Sequence, residues 1–355
     1  MRSEPSRAQP ARAPFAVGEL VRREGAADRL VVADKPLLLG VEGTERKLRQ
    51  RLRPRLGRRT VRPVAAAGQQ PRGQERAGAP VDSAPMRVLV TGASGFVGRA
   101  LVEELRHGGR AYEVHPLERR DADLADEGVA EQAIAETGPD VVVHSAARIG
   151  IARCEDEPLL ALRSNVLATA LVARAATRHG ARLVYLSTAD VYEPASLYAL
   201  TKLWGEQVAR QYAPQRFVTL RLANPYGPGS KGALPTMLTQ AAEGEPVTAF
   251  RGERRAWLWI GDATRAIRLV LDSGEEGIFD IASDMAPIPL TETARLACEL
   301  AGASPELVEE VDPPAGRVTP RTAVDRLRGL GWQPEVGLEE GLRLTLESLQ
   351  ATATI

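Results

Sequence analysis

Residues 87–103 read Arg87-Val88-Leu89-Val90-Thr91-Gly92-Ala93-Ser94-Gly95-Phe96-Val97-Gly98-Arg99-Ala100-Leu101-Val102-Glu103. Arg87–Val90 has the composition of a short buried strand. Gly98–His107 has helical spacing, with Val97, Leu101, Val102 and Leu105 on one face. Three glycines lie between the two patterns. In that setting Gly92 permits a tight turn. Gly95 removes a side chain where backbone must approach a ligand, and Gly98 lets the helix pack close to the strand. The helix start offers unpaired N–H groups and a partial positive charge. A strand, this loop and a helix together predict a site for the pyrophosphate of a dinucleotide.

The same alternation continues along the chain. Strands are expected at Glu113–Leu117, Asp140–His144, Arg182–Ser187, Phe217–Leu222 and Ile278–Ala282. Helices are expected at Leu159–Arg178, Leu197–Tyr212, Ala263–Leu271 and Thr291–Leu300. Asp140–His144 is continuously apolar, as in a sheet covered on both faces. Strand and helix in turn predict an α/β fold with a doubly wound parallel sheet. The expected division is a dinucleotide-binding domain over 86–225, rejoined by elements near 258–283. A smaller C-terminal α/β substrate lobe takes up most of 226–355.

Residues 1–85 differ. They hold 18 basic and nine acidic residues, whereas the whole chain of 355 balances 46 against 46. This stretch reads as a basic, disordered extension with one apolar run at Leu30–Val41 and a basic run at Arg51–Arg59, and Met86 is a candidate true start. The remainder carries the opposite net charge, which argues against a polyanion partner there. Nucleic acid is not an expected partner. No membrane span is expected, because no window reaches 18 consecutive apolar residues. No secretory leader is recognised, so the expected location is cytoplasmic. Cys154 and Cys298 are too few for a disulfide framework, and no Cys/His cluster suggests a metal.

About 20 residues past the last loop glycine, an acidic side chain commonly reads the adenine ribose. Here the segment is Leu117-Glu118-Arg119-Arg120. Glu118 suits a free 2′-hydroxyl and therefore NAD, whereas Arg119 or Arg120 suits a 2′-phosphate and therefore NADP. Both remain open at this point.

Tyr198 and Lys202 stand four apart in an expected helix, and Thr188 ends the preceding strand. A phenol is a weak acid at neutral pH, and a nearby ammonium is expected to lower its pKa. A hydroxyl such as Thr188 orients the reacting oxygen. Lysine is scarce: only Lys35, Lys47, Lys202 and Lys231 occur among 46 basic residues. Its presence at 202 therefore points to a requirement for lysine chemistry.

With these motifs in place, Met86 to Leu349 resembles the extended short-chain dehydrogenase/reductases, the NAD-dependent epimerase/dehydratase group that modifies nucleotide sugars. Thr91–Gly98 resembles that family's glycine loop. Asp121-Ala122-Asp123-Leu124 resembles its Asp-Leu turn, and His144-Ser145-Ala146-Ala147 its cofactor-side strand end. Ser164-Asn165-Val166 resembles the motif whose asparagine supports the central sheet. Arg221–Gly229 resembles the entry to the sugar-nucleotide lobe, and Leu330–Pro334 with Leu338–Leu342 the C-terminal signature.

The resemblance implies a Rossmann sheet binding NAD or NADP. Cofactor contacts would come from Gly92, Ser94, Gly95, Phe96, Val97 and Gly98. Glu118, Arg119, Asp123, Leu124, Ala146, Ala147 and Asn165 would extend them, with Tyr198 and Lys202. Tyr198 would be the general acid/base, Lys202 its partner and Thr188 the hydroxyl. Asp190, Asn224 and Arg255 would face a nucleotide-sugar substrate. A homodimer through Leu159–Arg178 and Leu197–Tyr212 is also implied.

Two departures narrow the chemistry. Sugar 4,6-dehydratases of the family carry Thr-Asp-Glu where this chain has Thr188-Ala189-Asp190, which argues against water loss. Only ten residues separate Thr188 from Tyr198, less than half the usual span, so a more open pocket is expected. The reading is therefore hydride transfer at a sugar carbon, by 4-keto reduction or 4-epimerisation. The alternative is a non-catalytic cofactor-binding sensor or scaffold on the same fold.

Overall fold

The computed structural model describes residues 84–353 apart from 109, 110, 121, 314–318 and 320. The expectations for 1–83 and for Asp121 in the Asp-Leu turn lie outside the described residues.

Most of the sheet is built from short apolar segments buried on both faces. Its strands are β1 (Met86–Thr91), β2 (Tyr112–Leu117), β3 (Val141–His144), β4 (Arg182–Thr188) and β5 (Phe217–Leu222). A later strand, Gly277–Ile281, pairs with β5 and closes the edge. From that edge the order is this strand, then β5, β4, β3, β1 and β2, and every pairing is parallel. Alternation along β1 shows why both faces are apolar. Val88 and Val90 enter the core on one side, and Leu89 the core on the other.

Helices cover the two faces. On one side lie α1 (Phe96–His107) and a helix at Ile260–Ser273. On the other lie α2 (Val129–Thr137), α3 (Ile151–Asp156), α4 (Pro158–Arg178) and α5 (Leu197–Tyr212). Neither α2 nor α3 is anticipated from the sequence. In α2 only Ala130 and Ile134 are buried, too few positions to show a period. The helix expected at Leu159–Arg178 is present but uneven, with a π turn at Arg163–Leu167 around the buried Asn165. By length and composition alone it is also long and apolar enough to cross a membrane, with a mean hydropathy of 1.3. Its small buried residues, among them Val172, Ala173 and Ala176, instead join the core beneath the sheet.

A third core lies among the C-terminal elements. These are α6 (Ala233–Glu243), β6 (Val247–Phe250), α7 (Ile260–Ser273), β7 (Gly277–Ile281), α8 (Leu290–Ala301), β8 (Val308–Val311) and α9 (Leu338–Ala353). Of these, α7 and β7 belong to the sheet layer. The others surround Tyr226, Leu238, Trp257, Leu290, Leu342 and Leu346. Buried Asp262 of α7 fastens the C-terminal segment to the sheet layer. Its carboxylate accepts from the N–H groups of Glu335 and Val336, and its carbonyl accepts from the Trp332 indole.

Parallel register brings the strand ends to one edge. Thr91 pairs with His144, and Thr188 with Leu222. The glycine loop and the Thr188 turn both leave the sheet at this carboxyl edge, where ligands of open α/β sheets bind.

Candidate active site

The glycine loop follows β1 directly. Gly92 has φ +68°, a left-handed conformation that L side chains avoid. A Cβ there would stand 2.7 Å from the Ala146 backbone. A Cβ on Gly98 would collide with the Gly92 carbonyl. These two glycines close the loop against the end of β3 and the first turn of α1. Gly95 caps α1 without any side-chain hydrogen bond, and the first turn holds no acidic residue. The N-terminal N–H groups of α1 and the exposed Ser94 and Gly95 form a cradle suited to a pyrophosphate. Phe96 and Val97 are half-buried on the first turn behind it.

The neighbouring strand ends support this loop. Ala93 N–H donates to the Leu117 carbonyl, which joins it to the end of β2. Ser145 Oγ donates to the Thr91 carbonyl at 2.5 Å, and Ala146 N–H to Thr91 Oγ1. His144 is fully buried between Thr91 Oγ1 at 2.8 Å and Thr169 Oγ1 at 3.1 Å. Burial pushes its imidazole down to about 3, so it is neutral at physiological pH. Ala146 and Ala147 remain half-buried on the loop side.

At the far end of the cradle Glu118 is half-buried and pairs with Arg120 at 3.1 Å, while Arg119 is exposed. Asp123 accepts from the Ala125 N–H and meets Arg163 at 3.5 Å, with Leu124 buried behind it.

The second part of the site lies between β4 and α5. Ser196 Oγ accepts from the Ala199 N–H at 3.2 Å and so starts α5 at Leu197. Tyr198 therefore stands on the first turn, and Lys202 one turn later on the same side. Thr188, at the end of β4, lies close enough to the Tyr198 phenol to favour its ionised form. Thr188 Oγ1 also accepts from the Asp190 N–H at 3.3 Å, capping the short turn Ala189–Tyr192. The shortened ten-residue stretch thus does not keep Tyr198 from Thr188.

One electrostatic expectation is overturned. A neighbouring ammonium was expected to lower the Tyr198 pKa, yet the phenol is held above the ordinary tyrosine value. Burial is the larger cause and the Asp190 carboxylate adds to it, with nearby Thr188 opposing both. Lys202 is itself buried, at 3% exposure. Its Nζ donates to the Leu186 carbonyl at 2.6 Å and lies 4.2 Å from the centre of the Tyr185 ring. Burial drives its pKa down to about 7, while the Glu206 carboxylate pulls it up.

Asn165, expected among the cofactor contacts, is fully buried and its amide is saturated by protein. Oδ1 accepts from Arg148 N–H, and Nδ2 donates to the Arg148 carbonyl and Thr201 Oγ1. Both amide hydrogens are used, so Asn165 supports the loop after β3 and the helix carrying Lys202 instead of facing the cradle.

On the lobe side, Asn224 has φ +47°, a conformation that asparagine tolerates better than most residues. Its Oδ1 accepts from Arg255 at 2.9 Å, and Arg255 also pairs with buried Glu253. Two of the three expected substrate residues, Asn224 and Arg255, are thus brought together.

Sequence reasoning missed a polar network behind Lys202. Glu206 accepts from Ser187 Oγ at 2.6 Å and pairs with Arg221 through both oxygens, at 3.0 and 2.7 Å. The Tyr192 ring covers Arg221 at 4.6 Å, and its hydroxyl donates to Asp280 at 2.8 Å. A signal was present, since Glu206 follows Lys202 by four and so shares its helix face. Among the described residues no group of three His, Cys, Asp or Glu side chains is arranged to hold a metal ion.

Comparisons with known proteins agree on one group. The model of the NAD dependent epimerase/dehydratase family matches residues 88–282. A UDP-glucose 4-epimerase from Mycolicibacterium smegmatis is 30% identical over 312 residues, covering 74% of this chain and 98% of that protein. A dTDP-glucose 4,6-dehydratase from Mycobacterium tuberculosis is 27% identical over 311 residues, covering 74% and 92%. Among solved structures, the UDP-glucose 4-epimerase of Thermus thermophilus in complex with NAD superposes with a TM-score of 0.68 at 29% identity. That match covers 75% of this chain and 99% of the other.

Proposed function

The chain belongs to the NAD-dependent epimerase/dehydratase family, and on that premise we propose that it transfers hydride at a carbon of a nucleotide-activated sugar, as a 4-epimerase. The observation that carries the reading is buried Lys202 one helical turn after Tyr198 on α5, anchored on β4 beside Thr188. It sits at the same sheet edge as a glycine cradle suited to a pyrophosphate. A non-catalytic scaffold has no need of a buried lysine at that place. Likeness to a UDP-glucose 4-epimerase over nearly that protein's whole length favours this class of substrate.

Bound NAD or NADP supplies the hydride acceptor and donor. The α1 N-terminus and the loop Gly92–Gly98 hold its phosphates. Glu118 accepts from a ribose hydroxyl and repels a 2′-phosphate, and its pairing with Arg120 engages one of the two arginines that would favour NADP. NAD is therefore the preferred form. Thr188 orients the sugar hydroxyl, and Tyr198 takes its proton as hydride leaves the carbon. When hydride returns to the other face, Tyr198 gives the proton back. A high phenol pKa suits the donating role. Asn224 and Arg255 bind the nucleotide diphosphate. Ala189 lacks the carboxylate that would drive water loss, so dehydration is not the proposed reaction.

A 4-ketoreductase is the second reading, favoured by the short span between Glu118 and Asp140. It uses the same residues but exchanges its cofactor each turnover. Denaturing the purified protein and identifying the released nucleotide separates the two. Retained NAD supports the epimerase, whereas NADP(H) or an empty protein supports the reductase. Tyr198→Phe should lower turnover of UDP-glucose, or of a 4-keto nucleotide sugar, by about 10²–10⁴-fold while sparing cofactor binding. Undiminished turnover in that variant would remove the catalytic assignment.

A further inference from the structure

Three consecutive residues of β4 are each approached by a different residue on one face of α5. The Leu186 carbonyl accepts from Lys202, the Ser187 hydroxyl donates to Glu206, and Thr188 lies near the Tyr198 phenol. The middle contact has no part in the mechanism above. We propose that Glu206 is a positioning residue, which keeps Lys202 charged and in place through a buried ion pair with Arg221.

The geometry explains the need for it. Lys202 and Glu206 are exposed by only 3% and 4%. A buried ammonium is costly without an anion, and the direct contacts of Lys202 are a carbonyl and a ring face, both neutral. The titratable groups facing it come from four elements. Cys154 on α3 is a buried thiol held protonated by burial, which pushes its pKa up. His144 at the end of β3 is neutral. Tyr185 of β4 and Tyr198 of α5 are phenols held above the ordinary value. Glu206 is the carboxylate of the set. Even with it, Lys202 is pulled down to about 7, so loss of that charge acts where the protein operates. Arg221 grips both oxygens of Glu206, which fixes the direction of its carboxylate. The Tyr192 ring lies over Arg221 and limits its access to water.

The proposal rests on the reading of Lys202 as a site residue, but its test does not use turnover. The chain has four lysines, so labelling with 13Cε-lysine gives few signals, and the one lost in Lys202→Met is assigned to Lys202. In Glu206→Gln its titration midpoint should fall by at least about one pH unit, a tenfold loss of proton affinity. A midpoint that stays where it is in wild type overturns the proposal. Glu206→Gln leaves Arg221 buried without its partner and can fail to fold. The double variant Glu206→Gln/Arg221→Met removes both charges and should shift the midpoint the same way. An unchanged midpoint there overturns the proposal equally. If Tyr198→Phe retains turnover, the catalytic reading falls while the titration still decides the role of Glu206.

Discussion

Lys202 carries a consequence that reaches beyond catalysis. Burial holds its folded-state pKa at about 7, below the ordinary lysine value of 10.5. Between those limits the unfolded chain keeps a proton that the folded chain has released. Stability of the cofactor-free protein therefore rises with pH through this group, by about 1 kcal/mol per pH unit where the difference is complete. Below about 7 the contribution is flat, since both states are protonated. Lys202→Met lacks this dependence, so the gap in urea midpoint between wild type and variant should move in favour of wild type from about pH 7 to about pH 9. A gap that is the same at both pH values would contradict the assignment. At this scale the sequence was informative about identity and silent about environment. The Thr188, Tyr198 and Lys202 spacing was legible because four residues make about one helical turn. The direction of the Tyr198 shift was not, because it depends on burial and on Asp190, whose approach follows from tertiary packing. Asn165 was legible as a motif but not as a saturated amide, since its three partners come from two other segments.

Elements place these side chains, and α5 does most of it. Its start is set by Ser196, which is 6% exposed and accepts the Ala199 N–H. Ser196→Ala leaves that donor without its partner and should cost about 1 kcal/mol, read as a lowered thermal midpoint. Because Tyr198 is the second residue of the helix, fraying of the first turn should reduce turnover more than it reduces stability. Equal turnover in the variant would show that the cap does not position the tyrosine. Close approach of α5 to its neighbours also depends on Gly205, where a Cβ would run into the Tyr185 hydroxyl and stand 2.9 Å from the Asn165 carbonyl. That carbonyl belongs to the π turn of α4. The helix itself was legible from its apolar period, but the π turn was not, because one extra residue per turn barely alters a side-chain pattern. Short α2 and α3 were missed because each buries only one or two side chains. Strands were read almost to the residue, since about four to seven apolar positions in a row admit few other readings.

At the scale of the molecule, the parallel sheet and a smaller C-terminal packing unit were legible from alternation of elements, and the strand pairing inside that unit was not. Its strands β6 and β8 are four residues each and pair with one another from 61 positions apart, Val247 with Val308, which no local pattern reveals. One outer face stays apolar. Leu159 is 79% exposed, and Leu167, Trp204 and Tyr212 are also exposed on α4 and α5. We propose that a second copy of the chain covers these two helices. Light scattering should then give twice the chain mass, and Trp204→Glu should give a monomer with its fold intact; a monomeric wild-type protein would refute the arrangement. The order of the sheet has a further consequence, for synthesis. The chain makes β1 to β5 in its first 222 residues, and the remaining strand of the sheet, β7, only from residue 277. Everything between must leave the ribosome while the outer edge of β5 has no neighbour. For that interval Phe217–Leu222, an apolar strand with an open row of hydrogen-bonding groups, is the place where a nascent chain is most exposed to the wrong partner.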